Sequence, residues 1–239
     1  GRSRIVLTET AETFVDWTAN ARYDLLQFLA DGAHFLWRSN RDGWYDLYLY
    51  DLEGQQVRRL TEGPFEVSWP YAVDEQEGWI YYGVFGTGER PYDTYLERAR
   101  LDGSGSERLT RRNGQPGPYG FSPSKRFFLL YSSTPKEPDV VELRRTDGTL
   151  LQTLARQEVD WLAEELHWRP PEELVVKAAD GKTDLHGLLF KPWDFDPEKK
   201  YPVIQHLYGN PAFNFHAFDP WFGGQDRGAQ ALAQLGFVT

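Results

Sequence analysis

The hydrophobic positions of this chain fall into short runs separated by polar turns, and the runs repeat. Asp46, Leu47, Tyr48, Leu49 and Tyr50 send successive side chains to opposite faces of an extended strand. A first copy of the pattern has an apolar strand from His34 to Asn40, a second strand from Trp44 to Asp51, a Glu53-Gly54 turn and a last strand ending at Leu60-Thr61. A second copy runs through residues 79–85 and 93–101, turns at Asp102-Gly103 and ends at Leu109-Thr110. A third runs through residues 127–133 and 139–145, turns at Asp147-Gly148 and continues over residues 150–154. Before each copy lies one more candidate strand: residues 25–29, 65–71 and 118–121. Phe35, Ile80 and Phe127 occupy equivalent places, 45 and 47 residues apart.

Four short strands in every 40–50 residues, with Asp-Gly or Glu-Gly at the tight turn, are the grammar of a β-propeller blade. A β-sandwich also spaces its strands closely, but it does not call for three copies of one strand–turn–strand–turn unit. Three blades do not close a ring. Either more blades precede Gly1, or two sheet edges stay open.

The pattern changes after residue 155. Residues 157–166 place Val159, Leu162 and Leu166 on one helical face, and Pro170-Pro171 then break regular structure. Two strands follow, residues 174–177 and 185–190, joined through Asp180-Gly181. Residues 201–208 are an apolar run that reads as a strand buried on both faces, ending in the sharp Gly209-Asn210-Pro211 loop. Residues 228–235 carry helical spacing with Gly236 placed to end the helix, and Phe237-Val238 begin another strand. Strand, loop, helix and strand in that order open an α/β sheet. The fold class is therefore mainly β. Partial propeller blades occupy residues 1–156, a linker residues 157–172, and the start of an α/β domain residues 173–239.

Composition agrees with strands and turns: nine Trp, thirteen Tyr, fifteen Phe, 22 Gly and 15 Pro. The net charge of −10 lacks the basic face that nucleic-acid binding requires. Cys is absent, so disulfides and thiolate metal sites are excluded. No apolar run reaches the ~20 residues of a membrane helix, and no signal peptide is visible. The chain opens at Gly1 without Met and stops at Thr239 within an apolar strand, so it reads as an interior fragment.

These residues resemble a known family. Residues 37–44 followed by 47–51 resemble the propeller of bacterial dipeptidyl peptidase IV enzymes, within the prolyl-oligopeptidase family of serine peptidases. Residues 63–67, 101–105 and 121–123 resemble its later blades. Residues 178–181, 185–187 and Lys191-Pro192 resemble the hairpin that opens its hydrolase domain, and residues 200–203 leading to 208–211 resemble its Tyr-Gly-Gly-Pro loop. The ordered set spans nearly the whole chain. Asn210 stands where the family usually carries Gly, and the segment after Pro211 is unusually aromatic.

The resemblance implies an eight-bladed propeller capping an α/β-hydrolase domain, with a peptide substrate held between them. It implies a serine exopeptidase that releases X-Pro or X-Ala dipeptides from N-termini. It implies that Tyr208 donates its phenol to the oxyanion; a donor there, at the carboxyl end of a strand, contributes about 3–4 kcal/mol in the transition state. Members are often dimers, but the usual contact regions are mostly absent from this stretch. Neither a cofactor nor a metal site is expected, and the compartment stays open between periplasm or secretion and cytoplasm.

Serine-hydrolase chemistry also needs a nucleophile, a base and an orienting acid. No Gly-x-Ser-x-Gly elbow occurs here. Ser122, between Phe121 and Pro123, is a near miss in a propeller turn, and the Ser/Asp/His triad is expected beyond Thr239. His34, His167, His186, His206 and His216 show no metal-ligand spacing. Glu164-Glu165 read as a solvated helix face and Gly103-Ser104-Gly105 as a hairpin turn. Two other functions fit the same residues: a protein-binding propeller with an inactive hydrolase domain, and an acylaminoacyl-peptidase or oligopeptidase relative. The fragment by itself is expected to be inactive.

Overall fold

The computed structural model describes residues 3–10, 15, 26–87, 90–110, 118–205 and 228–239. The chain divides into two compact units, residues 1–132 with 140–155, and residues 133–139 with 156–239.

The repeat becomes three four-stranded sheets whose strand order follows the chain. The first contains β1 (Leu26–Phe28), β2 (His34–Ser39), β3 (Asp46–Asp51) and β4 (Gln56–Arg59). The second contains β5 (Val67–Asp74), β6 (Trp79–Phe85), β7 (Thr94–Arg100) and β8 (Ser106–Arg108). The third contains β9 (Pro118–Phe121), β10 (Phe127–Thr134), β11 (Glu137–Arg145) and β12 (Leu150–Arg156).

Alternation along β3 separates two apolar faces rather than an inner and an outer one. Leu47 and Leu49, with Leu36 and Leu60, pack against Ile80, Tyr82, Val84 and Ala99 of the second sheet. Tyr48 and Tyr50 turn the other way and join Phe35. On the far side of the second sheet, Tyr81, Leu96 and Leu109 pack with Phe128 and Leu130 of the third. Each fully buried side chain of this size contributes roughly 1.5–3 kcal/mol. The apolar stabilisation of unit 1 therefore lies mainly between sheets, as stacked blades require.

The last hairpin turns of the three sheets are equivalent. Gly54, Gly103 and Gly148 have φ of 83°, 75° and 88°, the left-handed region that glycine enters without strain. In the first and third sheets the turn closes alike: Gly54 N–H donates to Asp51 O at 3.1 Å, and Gly148 N–H to Arg145 O at 2.8 Å. The second turn has the same bond, Gly103 N–H to Arg100 O at 3.0 Å, but its outer closing bond reaches one residue further: Arg100 N–H donates to Gly105 O at 2.9 Å, where Asp51 N–H donates to Gln55 O and Arg145 N–H to Thr149 O. At these turns glycine also permits close approach. A Cβ at Gly148 would lie 2.7 Å from Leu109 O, and one at Gly54 only 1.9 Å from Val6 O.

Unit 2 begins its own elements with α1 (Asp160–Leu166), of which only Leu162 is buried. Leu166, expected on the same apolar face, is exposed, because the helix has a single covered position. The left-handed His167 (φ 52°) ends it. β13 (Glu172–Lys177) and β14 (Asp184–Leu189) form the expected hairpin, with Gly181 (φ 67°) in the turn. After α2 (Ala229–Gln234), Gly236 (φ 94°) releases the chain as anticipated. Val238 then pairs in parallel with Val203; Ile204 N–H donates to Val238 O at 2.9 Å and Val238 N–H to Pro202 O at 3.0 Å. Thr239 and Phe190 exchange two backbone bonds of 2.9 and 3.0 Å. An isolated parallel bridge thus joins Val203 to Val238, just after α2.

One expectation is corrected here. The strand at residues 201–208 was expected to be buried on both faces, yet Val203 is 73% exposed. A parallel strand is buried only when helices cover both faces and strands flank both edges, and the described residues supply one neighbouring strand. Residues 206–208 of that run lie outside the described residues.

The glycine contacts give a direct test. Gly148→Ala should cost about 2–3 kcal/mol, because left-handed strain adds to the clash with Leu109 O. Gly181→Ala, whose added Cβ meets nothing within 4 Å, should cost about 1 kcal/mol from strain alone. Urea midpoints of the two variants measure the difference; equal losses would show that the close approach carries no weight.

Candidate functional site

Tyr208 is approached from the parallel pair. Ahead of it in the chain, Val203 makes an isolated parallel bridge with Val238, and Ile204 N–H donates to Val238 O at 2.9 Å. Tyr208 itself, with His206 and His216, lies outside the described residues.

The described histidines have other work. His34 Nδ1 lies 2.6 Å from Asp31 Oδ2 on the turn before β2. That carboxyl also accepts from Ala33 and His34 N–H, and the Ala33 bond is the largest cause of its lowered pKa. Among the described residues no serine hydroxyl bonds this ring, and the Asp31 carboxyl clamps the turn before β2. His167 stacks on Trp193 with ring centroids 4.7 Å apart. His186 is half-buried in β14. Glu164 and Glu165 are exposed, as expected for a solvated helix face. Ser122 Oγ accepts from Phe127 N–H at 3.2 Å and lies 3.1 Å from Ser124 Oγ, which makes it a turn residue.

Unit 1 contains buried polar groups that the sequence reading passed over. Thr61 Oγ1 accepts from Leu47 N–H at 3.0 Å and donates to Asp46 Oδ1 at 2.7 Å. Arg59 donates to the other oxygen of Asp46 at 2.6 Å. The second sheet repeats the device: Thr110 Oγ1 accepts from Leu96 N–H at 2.9 Å, and Arg108 donates to Glu97 at 2.9 Å. Asp46 is fully buried, and burial pushes its carboxyl above the ordinary range despite the opposing pull of Thr61 and Arg59. The Leu-Thr ending of the first two repeats was the available signal: leucine fills the junction and threonine ties the outer strand to its neighbour. Thr61, Asp46 and Arg59 bond one another, as do Arg108 and Glu97, which marks them as internal bracing.

Comparison with known proteins settles the family. The family described as "Dipeptidyl peptidase IV (DPP IV) N-terminal region" matches residues 1–139. The chain belongs to the dipeptidyl peptidase IV family. Among curated relatives of this family, the probable dipeptidyl-aminopeptidase B of Emericella nidulans is 35% identical over 170 residues, covering 69% of this chain and 18% of that protein. Its counterpart in Neosartorya fischeri is 32% identical over 169 residues, with the same coverage. The chain thus spans about a fifth of the length of the curated relatives it matches. Among solved structures, Porphyromonas gingivalis dipeptidyl peptidase 4 superposes with a TM-score of 0.77 at 26% identity, over 98% of this chain and 31% of that one. A putative dipeptidyl aminopeptidase IV from Bacteroides ovatus shares the fold, with a TM-score of 0.71 at 23% identity, over 89% of this chain and 32% of that one. The three sheets of unit 1 are accordingly propeller blades of this family.

The buried bracing has a pH signature. A carboxyl whose folded pKa is raised binds more protons folded than unfolded between the two values, so its contribution to stability falls as pH rises through that window. Wild-type stability, measured relative to Asp46→Asn in urea, should therefore decline from about pH 4 upward. A flat or rising difference would remove the assignment. Thr61→Val, which strands Leu47 N–H and half of the Asp46 carboxylate, should cost about 1–3 kcal/mol in the same assay.

Proposed function

We propose that this chain is the propeller-to-hydrolase segment of a serine dipeptidyl aminopeptidase that releases X-Pro or X-Ala dipeptides from peptide N-termini. The observation that carries the proposal is the likeness to Porphyromonas gingivalis dipeptidyl peptidase 4, which runs through unit 1 and on through unit 2, over 98% of the chain. The parallel bridge of Val203 with Val238, which follows the helix α2, supports reading residues 173–239 as the opening of an α/β-hydrolase domain. Residues 1–156 are then propeller, and residues 157–172 the linker.

In this reading the blades bind and admit peptide, and the hydrolase domain cleaves it. Tyr208 is the one residue of this chain with a chemical role. When a serine attacks the scissile carbonyl, the carbonyl oxygen becomes negative, and the Tyr208 phenol donates a hydrogen bond to it. Because that bond is stronger to the oxyanion than to the ground-state carbonyl, it lowers the barrier. The nucleophile, its base and the orienting acid are assigned to the chain after Thr239, so residues 1–239 by themselves should show no peptidase activity.

The test uses the longer parent protein and a Gly-Pro chromogenic amide. Turnover should be abolished by a serine-reactive phosphonate. Tyr208→Phe should lower kcat by about 100- to 1,000-fold with little change in KM. A folded parent that cleaves neither Gly-Pro nor Ala-Pro amides would overturn the dipeptidyl-peptidase reading. Turnover with an unchanged kcat in Tyr208→Phe would overturn only the role of that residue.

A further inference from the structure

The second hairpin of the third sheet departs from its counterparts. β2 and β3 have six residues each and are joined by residues 40–45; β6 and β7 have seven each and are joined by residues 86–93. β10 has eight residues, β11 has nine, and only Pro135 and Lys136 lie between them. The end of this hairpin, residues 133–139, belongs to unit 2, while the rest of both strands belongs to unit 1. Hairpin ends ordinarily face water. Here Ser133 and Thr134 are 3% and 5% exposed, and Pro135 is buried. Thr134 Oγ1 accepts from Glu137 N–H at 3.1 Å and from Lys136 N–H at 3.3 Å, so the turn is closed by its own side chain.

Within unit 2, bonded neighbours lead from this hairpin end to residues 202–204, which precede Tyr208 in the chain. Lys136 Nζ lies 3.5 Å from Glu173 Oε1 on β13. Glu173 pairs with Leu188 of β14, and Glu172 with Leu189. Lys191 Nζ donates to both oxygens of Glu172, at 2.7 and 2.8 Å, which fastens the same end of the β13–β14 hairpin. Phe190, next along the chain, exchanges two backbone bonds with Thr239. Val238 N–H donates to Pro202 O, and Val238 O accepts from Ile204 N–H.

We infer that the end of the β10–β11 hairpin is the fixed point that positions residues 202–204, and through them Tyr208, with Lys136 and Glu173 as the joint. The inference rests on the oxyanion role proposed for Tyr208. An ion pair this exposed, 52% and 32% on its two sides, contributes little stability by itself. Its use is directional. The buried turn at residues 133–135 cannot shift without its neighbours, so Lys136 holds β13 at one place, and the paired backbones carry that place to Ile204. Lys136 is a positioning residue, acting on Tyr208 only through Glu173.

Charge reversal in the parent protein tests this, and both side chains are exposed enough for the variants to fold. Lys136→Glu should speed exchange of the Phe190, Ile204, Val238 and Thr239 amides by about threefold or more, with β2 and β3 unchanged. It should lower kcat on the Gly-Pro amide by about three- to tenfold, with KM held within about twofold. Adding Glu173→Lys should restore both. Unchanged exchange at the four amides, or no recovery in the double variant, would overturn the joint. Faster exchange with an unchanged kcat would overturn the positioning of Tyr208. If Tyr208→Phe itself leaves kcat unchanged, the oxyanion reading falls, and the four amides still decide whether the hairpin end holds residues 202–204.

Discussion

A sheet with two apolar faces cannot stand alone, and the first unit of this protein follows from that constraint. Leu47 and Leu49 face one neighbour, and Tyr48 and Tyr50 face the other way. Had one face been polar, the same strands would have made a sandwich with a single interior. Because both are apolar, each blade is stable only between two others, and the junctions become the core.

Every junction must also satisfy the backbone at the blade's rim. Here a two-residue ending does two jobs. Leu60 and Leu109 fill the space toward the next blade, while Thr61 and Thr110 take the amides of Leu47 and Leu96. Behind them Arg59 with Asp46, and Arg108 with Glu97, pair a buried carboxylate with a partly exposed guanidinium. Such pairs offer little net stabilisation over apolar packing, but losing one partner leaves a stranded charge. They fix register more than they add strength.

The second unit is organised by a different rule. Its hairpin is local and closes through Asp180-Gly181. The parallel pairing of Val203 with Val238 joins residues far apart in sequence, through a helix.

The sequence by itself determined the strands, their order and their turns. Alternating side chains and positive-φ glycines are local constraints, and β6, from Trp79 to Phe85, has the bounds its apolar run implied. It also pointed to Tyr208, through a motif, but periodicity says nothing of that residue's surroundings. Only the tertiary structure decided which polar side chains meet. The bond between Thr61 and Asp46 spans fifteen residues, and that between Trp37 and Glu9 twenty-eight. The same holds for exposure. The apolar run through Val203 looked buried because hydrophobicity reports what a strand can bury, whereas its exposure depends on which neighbours the fold brings to it.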